Sequence, residues 1–135
     1  VSTWVWLDGE AIPAERARIG ALDHGLTVGD GIFETAKVVD GTPFAMTRHL
    51  RRLRRSAELI GLELPWNDDE LRQAADAAIR AADADEANAA TGVGRLRVTV
   101  TGGAGPLGSD RGDAPPTLVM AAGPSAPWPP TTEVV

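Results

Sequence analysis

The first residues alternate. In "STWVWLDGE" Trp4 and Trp6 fall on one face and Asp8-Gly9 ends the run as a turn, which predicts an opening strand. A second strand is expected at "ARIGALD", residues 17–23. From Gly31, "GIFETAKVVDGTPFAM" gives two runs with β-branched and aromatic residues joined at Asp40-Gly41, a hairpin signal. Its period of two sets Phe33, Thr35 and Lys37 on one face and Ile32, Glu34 and Ala36 on the other. The period then changes: Leu50, Leu53, Ala57 and Ile60 recur at helical spacing, with Thr47 as the expected N-cap and Gly61 as the stop. A second helix is predicted from Asn67, where Glu70 completes a capping box and Asp68 and Asp69 suit the first turn. After its alanine-rich body, "RLRVTVT" and "PTLVMAA" read as strands on either side of a glycine-rich loop, and "GPSAPWPP" reads as a stiff linker ahead of "TTEVV". The pattern is that of a compact α+β domain.

Composition narrows the function. A chain of 135 residues is one ordinary domain, able to bury roughly 65 to 70 % of its unfolded surface without staples. It contains no cysteine and only His24 and His49 as imidazoles, so thiolate metal sites are excluded and no metal site is predicted. Apolar runs fall far short of a bilayer span, and the first residues lack the pattern of a secretory signal, so the expectation is a soluble, cytoplasmic protein without membrane contact. With a net charge of −6 and a pI near 4.8, the chain has no basic face for a nucleic acid. The loop "GGAGPLG" lacks the Gly-Lys-Ser/Thr ending of a P-loop and precedes no helix.

Against this acidic background, "RHLRRLRR" (residues 48–55) puts five arginines into eight positions. On a helical wheel His49, Arg52, Ser56 and Leu59 lie along one flank of the apolar stripe, while Arg51, Arg54, Arg55 and Glu58 point further away. Arg52, at the border of core and solvent, is placed to offer its fork to a phosphate or carboxylate. Charge pattern alone also fits a solvated helix face, the preferred reading for Arg54 and Arg55. Lys37 is the only lysine, where a search for a Schiff-base amine would stop, but a strand lysine reaching solvent is the preferred reading of it.

Three ordered stretches, "LDHGLTVGDGIFETAKVVDG", "RHLRRLRRSAELIGL" and "LRVTVTGGAGPLG", make the chain resemble the pyridoxal-phosphate enzymes of fold type IV. This family of class IV aminotransferases includes branched-chain and D-amino acid aminotransferases and 4-amino-4-deoxychorismate lyases. The resemblance implies the two-layer small N-terminal domain of the D-amino acid aminotransferase-like fold over residues 1–122, an antiparallel sheet with two helices. It further implies an interdomain linker at 123–130 and the start of a second domain at 131–135. The family's His-x-x-Arg-Leu motif matches His49, Arg52 and Leu53, making Arg52 the ligand of the 5'-phosphate of pyridoxal phosphate. Val28, Phe33, Thr35 and Lys37 match positions that line the substrate pocket, and Arg97 a pocket-side arginine of some members. Arg52 is expected on the same side as Phe33, Thr35 and Lys37.

Two departures qualify the likeness. Many relatives read Thr-Arg-Gly where this chain has Thr101, Gly102 and Gly103, which removes a usual carboxylate-binding arginine and leaves Lys37, Arg97 or Arg111 to neutralise the substrate. The family's Schiff-base lysine lies in its second domain, beyond residue 135, so no catalytic residue is assigned and the chain alone is expected to be inactive. The resemblance implies the N-terminal part of a homodimeric enzyme acting on a small amino substrate, its C-terminal domain missing here. "GDGIFETAKVVDG" and "GGAGPLG" favour 4-amino-4-deoxychorismate lyase, which forms 4-aminobenzoate and pyruvate for folate synthesis. The alternatives are an amino-acid aminotransferase of the branched-chain or D-amino acid type and a stand-alone, non-catalytic α+β binding module.

Overall fold

The structure, a computed structural model, describes residues 1–127, 129–131 and 133–134. The predicted linker at 123–130 and second-domain start at 131–135 include Trp128, Thr132 and Val135, which lie outside the described residues.

β1 (Trp4–Leu7) turns at Asp8 and Gly9, both at positive φ, into β2 (Glu10–Pro13). The register puts Val5 opposite Ile12. The expected strand at 17–23 is not formed. The tight turn brings Glu10–Pro13 back against β1 at once, and a 3-10 turn at Ala14–Arg16 then leads the chain away. In the segment that follows, Asp23 makes only an isolated bridge with Ala104. Asp23 also caps a one-turn helix, α1 (His24–Thr27), by accepting from the Gly25 N–H at 2.8 Å.

β3 (Gly31–Val39) and the two-residue β4 (Thr42–Pro43) form the hairpin expected at Asp40-Gly41. α2 (Met46–Leu59) follows directly. Thr47 is not its N-cap: Met46 is buried in the core and draws the helix start ahead of Thr47, leaving left-handed Ala45 at the cap position with no side-chain bond. The Thr47 hydroxyl instead accepts from Arg72 at 2.8 Å. α3 (Asp68–Asp83) has the predicted capping box between Asn67 and Glu70. β5 (Arg95–Thr101) and β6 (Thr117–Gly123) complete an antiparallel sheet of order β2-β1-β6-β5-β3-β4.

α2 and α3 cover one face of this sheet, as the two-layer α+β expectation required. The core lies between the layers: Ile32, Ala36 and Val38 from β3, Leu96, Val98 and Val100 from β5, Leu118 and Met120 from β6, against Leu50, Leu53, Leu71 and Ile79. Trp4 and Trp6 pack on the same side. The opposite face, with Phe33, Thr35, Lys37, Arg95 and Arg97 at register positions across β3 and β5, carries no helix among the described residues. Among the described residues no helix is long and apolar enough to cross a membrane.

Candidate functional site

On the helix-facing side of β3, Glu34 interrupts an apolar stripe and is only 8 % exposed. An ionised carboxylate there requires partners, and α2 supplies two from one flank. His49 meets Glu34 Oε1 through Nδ1 at 2.8 Å. Arg52 donates from Nε to both carboxylate oxygens at 2.9 and 3.0 Å, and its Nη2 lies 2.7 Å from Oε1. Burial alone would push the Glu34 carboxyl up, but the hydrogen bonds and positive charge from Arg52 and His49 outweigh it and hold the group below its ordinary range. The wheel had grouped His49 with Arg52, and the structure shows them converging on this one acid.

Glu34 thus grips one edge of the guanidinium. Arg52 remains 66 % exposed, and among the described residues its Nη1 has no protein acceptor. Five N–H donors in a planar fork leave a free outer edge, the geometry that receives a phosphate or carboxylate.

The remaining predicted residues lie elsewhere. Phe33, Thr35 and Lys37 point to the open face, so the sheet separates them from the Glu34–Arg52 pair; the expectation that they share one side is not met. The two groups border a common feature instead: β4 pairs only with Val38 and Val39, so among the described residues no strand lies beside the outer edge of β3 from Gly31 to Ala36. On the open face Arg97, opposite Thr35 in the register, lays its guanidinium carbon 3.8 Å above the centre of the Phe33 ring. Such stacking orients the cation and leaves the in-plane N–H groups available. Lys37 stands directly opposite Arg95, and with Thr35 and Ser125 they line a shallow pocket of about 280 Å³. Among the described residues none of Lys37, Arg95 and Arg97 has an ion-pair partner.

Val28 is set apart. It lines an open cleft of about 520 Å³ with Asp30, Ser109 and Arg111 before β3 begins, and about 20 Å of extended strand separates Gly31 from Lys37. The structure therefore brings together Phe33, Thr35, Lys37 and Arg97, and places Val28 and Arg52 outside that patch.

Arg111 does not offer its fork to a substrate. It binds both oxygens of Asp30 and the carbonyls of Ile60 and Gly61. The Arg111 fork keeps the Asp30 carboxyl below the usual range. Gly102, where the resemblance to the family implies an arginine, lies against this pair, and a Cβ there would overlap the Asp30 carboxylate. His24 is fully buried, with Nε2 2.7 Å from the Pro106 carbonyl and Nδ1 without a partner among the described residues, and anchors the glycine-rich loop.

Glu34 is the residue sequence reasoning missed. Its signal was present, since a carboxylate in phase with Ile32, Ala36 and Val38 demands a cation from whatever packs on it.

The amino-transferase class IV family model matches residues 31–134. The chain is 31 % identical over 124 residues to a putative branched-chain-amino-acid aminotransferase of Methanocaldococcus jannaschii, covering 91 % of this chain and 41 % of the relative. It is 41 % identical over 69 residues to a D-alanine aminotransferase of Staphylococcus epidermidis, covering 51 % of this chain and 24 % of the relative. Its fold superposes on a hypothetical aminotransferase from Mycobacterium tuberculosis in its PLP-bound form, with a TM-score of 0.72 at 29 % identity over 90 % of this chain and 40 % of that one. The chain therefore spans about two fifths, or less, of the length of these relatives. With β3, α2, α3, β5 and β6 all inside the matched stretch, the chain belongs to the class IV amino-transferase family.

Proposed function

We propose that this chain forms the phosphate- and substrate-binding part of a pyridoxal 5'-phosphate-dependent amino-acid aminotransferase. The observation that carries the reading is the Arg52 guanidinium, anchored on one edge by Glu34 and free on the other. A phosphate ester suits that free edge, and the exposed Arg48, Arg51 and Arg55 raise the local potential. When bound, pyridoxal phosphate supplies the electron sink for proton loss at the substrate's α-carbon. Arg52 orients the cofactor through its phosphate. On the open face Arg97, held by Phe33, neutralises the substrate carboxylate, with Thr35 and Lys37 beside it on β3 and Val28 in the segment that precedes that strand.

No lysine of this chain is assigned to the Schiff base. Lys37 is on the opposite face from Arg52, and the family resemblance puts the reactive amine beyond residue 135, in a second domain. The homodimer and the cytoplasmic setting belong to this same reading. The expected lyase activity is the weaker choice, since the relatives described above are named as branched-chain and D-alanine aminotransferases.

The test uses the full-length protein with pyridoxal 5'-phosphate, a panel of amino donors with 2-oxoglutarate, and aminodeoxychorismate in parallel. Donor-dependent glutamate formation supports the transferase. Release of 4-aminobenzoate without amino transfer would restore the lyase, and unchanged cofactor affinity in Arg52→Ala would remove the phosphate assignment.

A further inference from the structure

One guanidinium, that of Arg111, joins three elements that carry candidate site residues. Its Nε donates to Asp30 Oδ2 at 2.5 Å and its Nη2 to Oδ1 at 2.7 Å, just ahead of β3. Its Nη1 donates to the Gly61 carbonyl at 2.7 Å and its Nη2 also to that of Ile60 at 2.9 Å, at the end of α2. Arg111 itself belongs to the glycine-rich loop that follows β5, and the Gly102 N–H at the head of that loop donates to the Asp30 carbonyl at 3.0 Å. Glu34 lies four residues beyond Asp30 on β3, Arg52 two turns before Ile60 on α2, and Arg97 on β5.

Apolar packing is non-directional. Leu50, Leu53 and Ala57 hold α2 against the sheet, and a directional polar contact adds to that packing a fixed position along the helix axis. The Arg111 fork supplies such a contact: it ties the carbonyls of Ile60 and Gly61, just past the C-terminal end of α2 where the helix dipole is negative, to a carboxylate next to the first residue of β3. The distance from Glu34 to Arg52 depends on the same relative placement of strand and helix.

We propose that Arg111, through Asp30, is a positioning residue of the phosphate site, holding α2 in the register at which Glu34 presents Arg52. This inference rests on reading Arg52 as the phosphate ligand, and the experiment separates the two. Dissociation constants for pyridoxal 5'-phosphate and for inorganic phosphate are measured on the full-length protein and its Arg52→Ala, Arg111→Gln and Arg111→Lys variants. Each variant's fold and melting temperature are followed by circular dichroism.

Loss of a charge-assisted hydrogen bond, through removal or misplacement of its donor, costs about 10- to 100-fold in affinity. Arg111→Gln is expected to weaken both ligands by that factor at a temperature where it remains folded, and Arg111→Lys, which can still meet Asp30, to recover part of the loss. A folded Arg111→Gln with unaltered affinity for both ligands would overturn the proposal. Should Arg111→Gln fail to fold, unaltered affinity in Arg111→Lys would do the same. If Arg52→Ala itself binds both ligands normally, the phosphate reading falls and this inference with it; loss in Arg52→Ala with none in either Arg111 variant removes only the positioning role.

Discussion

Glu34 and Arg52 meet across the layers of the domain, the acid nearly buried under α2 and the arginine two-thirds exposed, so that one carboxylate fixes one edge of a guanidinium and leaves the other to solvent. The pair is asymmetric in what it contributes. Its ionic attraction adds little to folding because Arg52 is so exposed, whereas the orientation it imposes decides where the free N–H groups point. Arg52→Ala is therefore expected to weaken pyridoxal 5'-phosphate binding about 10- to 100-fold, the worth of one charged hydrogen-bonding partner. Glu34→Gln retains the shape but not the charge and should lose about tenfold. Titration of the full-length protein by absorbance checks both, and Glu34→Gln binding as tightly as wild type would show that Arg52 needs no anchor.

Arg97 and Phe33 yield a prediction on the open face. Arg97→Gln should raise KM for the amino substrate about tenfold or more through loss of a charged hydrogen bond, without altering cofactor affinity. Phe33→Leu, which removes the stacking surface under the guanidinium, should raise it by less. Steady-state kinetics with the preferred donor measure both, and equal cofactor and substrate losses in Arg97→Gln would mean that the two faces of the sheet are not functionally distinct.

Much of this arrangement was legible locally. Alternation marked β1 and β3, β-prone runs on either side of a glycine-rich loop marked β5 and β6, the Asn67–Glu70 capping box opened α3, and the wheel set Arg52 and His49 apart from Arg51, Arg54 and Arg55 of α2. These signals act between residues a few positions apart. The placement of β2 was not legible, because a four-residue return strand ending in proline has too short an alternation to outweigh the run at 17–23. Nor was the cap at Ala45, where the burial of Met46 overrides the capping preference of Thr47. The partners of Arg111 lie some fifty and eighty residues away, and the separation of Arg52 from Phe33 is a property of two sheet faces. Neither is written in local periodicity.

Asp85 is expected to contribute to an acid limb in the stability, alongside Asp30 and Glu34, whose carboxyls are also held below their ordinary range. The Asp85 Oδ2 accepts from the Ser2 hydroxyl at 2.5 Å and from Trp4 Nε1 at 2.8 Å, and its Oδ1 from the Ala87 N–H at 2.9 Å. The hydrogen bonds from Ser2, Trp4 and Ala87 lower its pKa to about 2, against 3.8 for a free side chain. Between those values the unfolded chain binds more protons than the folded one, so stability rises with pH. The contribution is complete above about pH 4 and is lost as the pH falls through about 2. Urea midpoints between pH 2 and 5 should show a flatter slope in Asp85→Asn than in wild type, and parallel curves would contradict the assignment.

Three glycines separate conformational from steric cost in the turns and loops. Gly108 is open and has no positive φ, so Gly108→Ala should change stability by no more than about 0.5 kcal/mol. Gly41, at the tip of the β3–β4 hairpin, has φ +76 but free space around a Cβ, so Gly41→Ala carries only the left-handed penalty of about 1–2 kcal/mol. Gly103 has φ +79, and a Cβ there would in addition overlap the Pro115 carbonyl. The loop cannot yield easily, because the Gly103 N–H is bonded to Thr101 Oγ1 and its carbonyl to the His24 N–H. Gly103→Ala should therefore cost more than Gly41→Ala, about 3 kcal/mol or above. Urea unfolding of the three variants ranks them, and a Gly103→Ala no less stable than Gly41→Ala would mean that the loop after β5 relaxes where this packing says it is held.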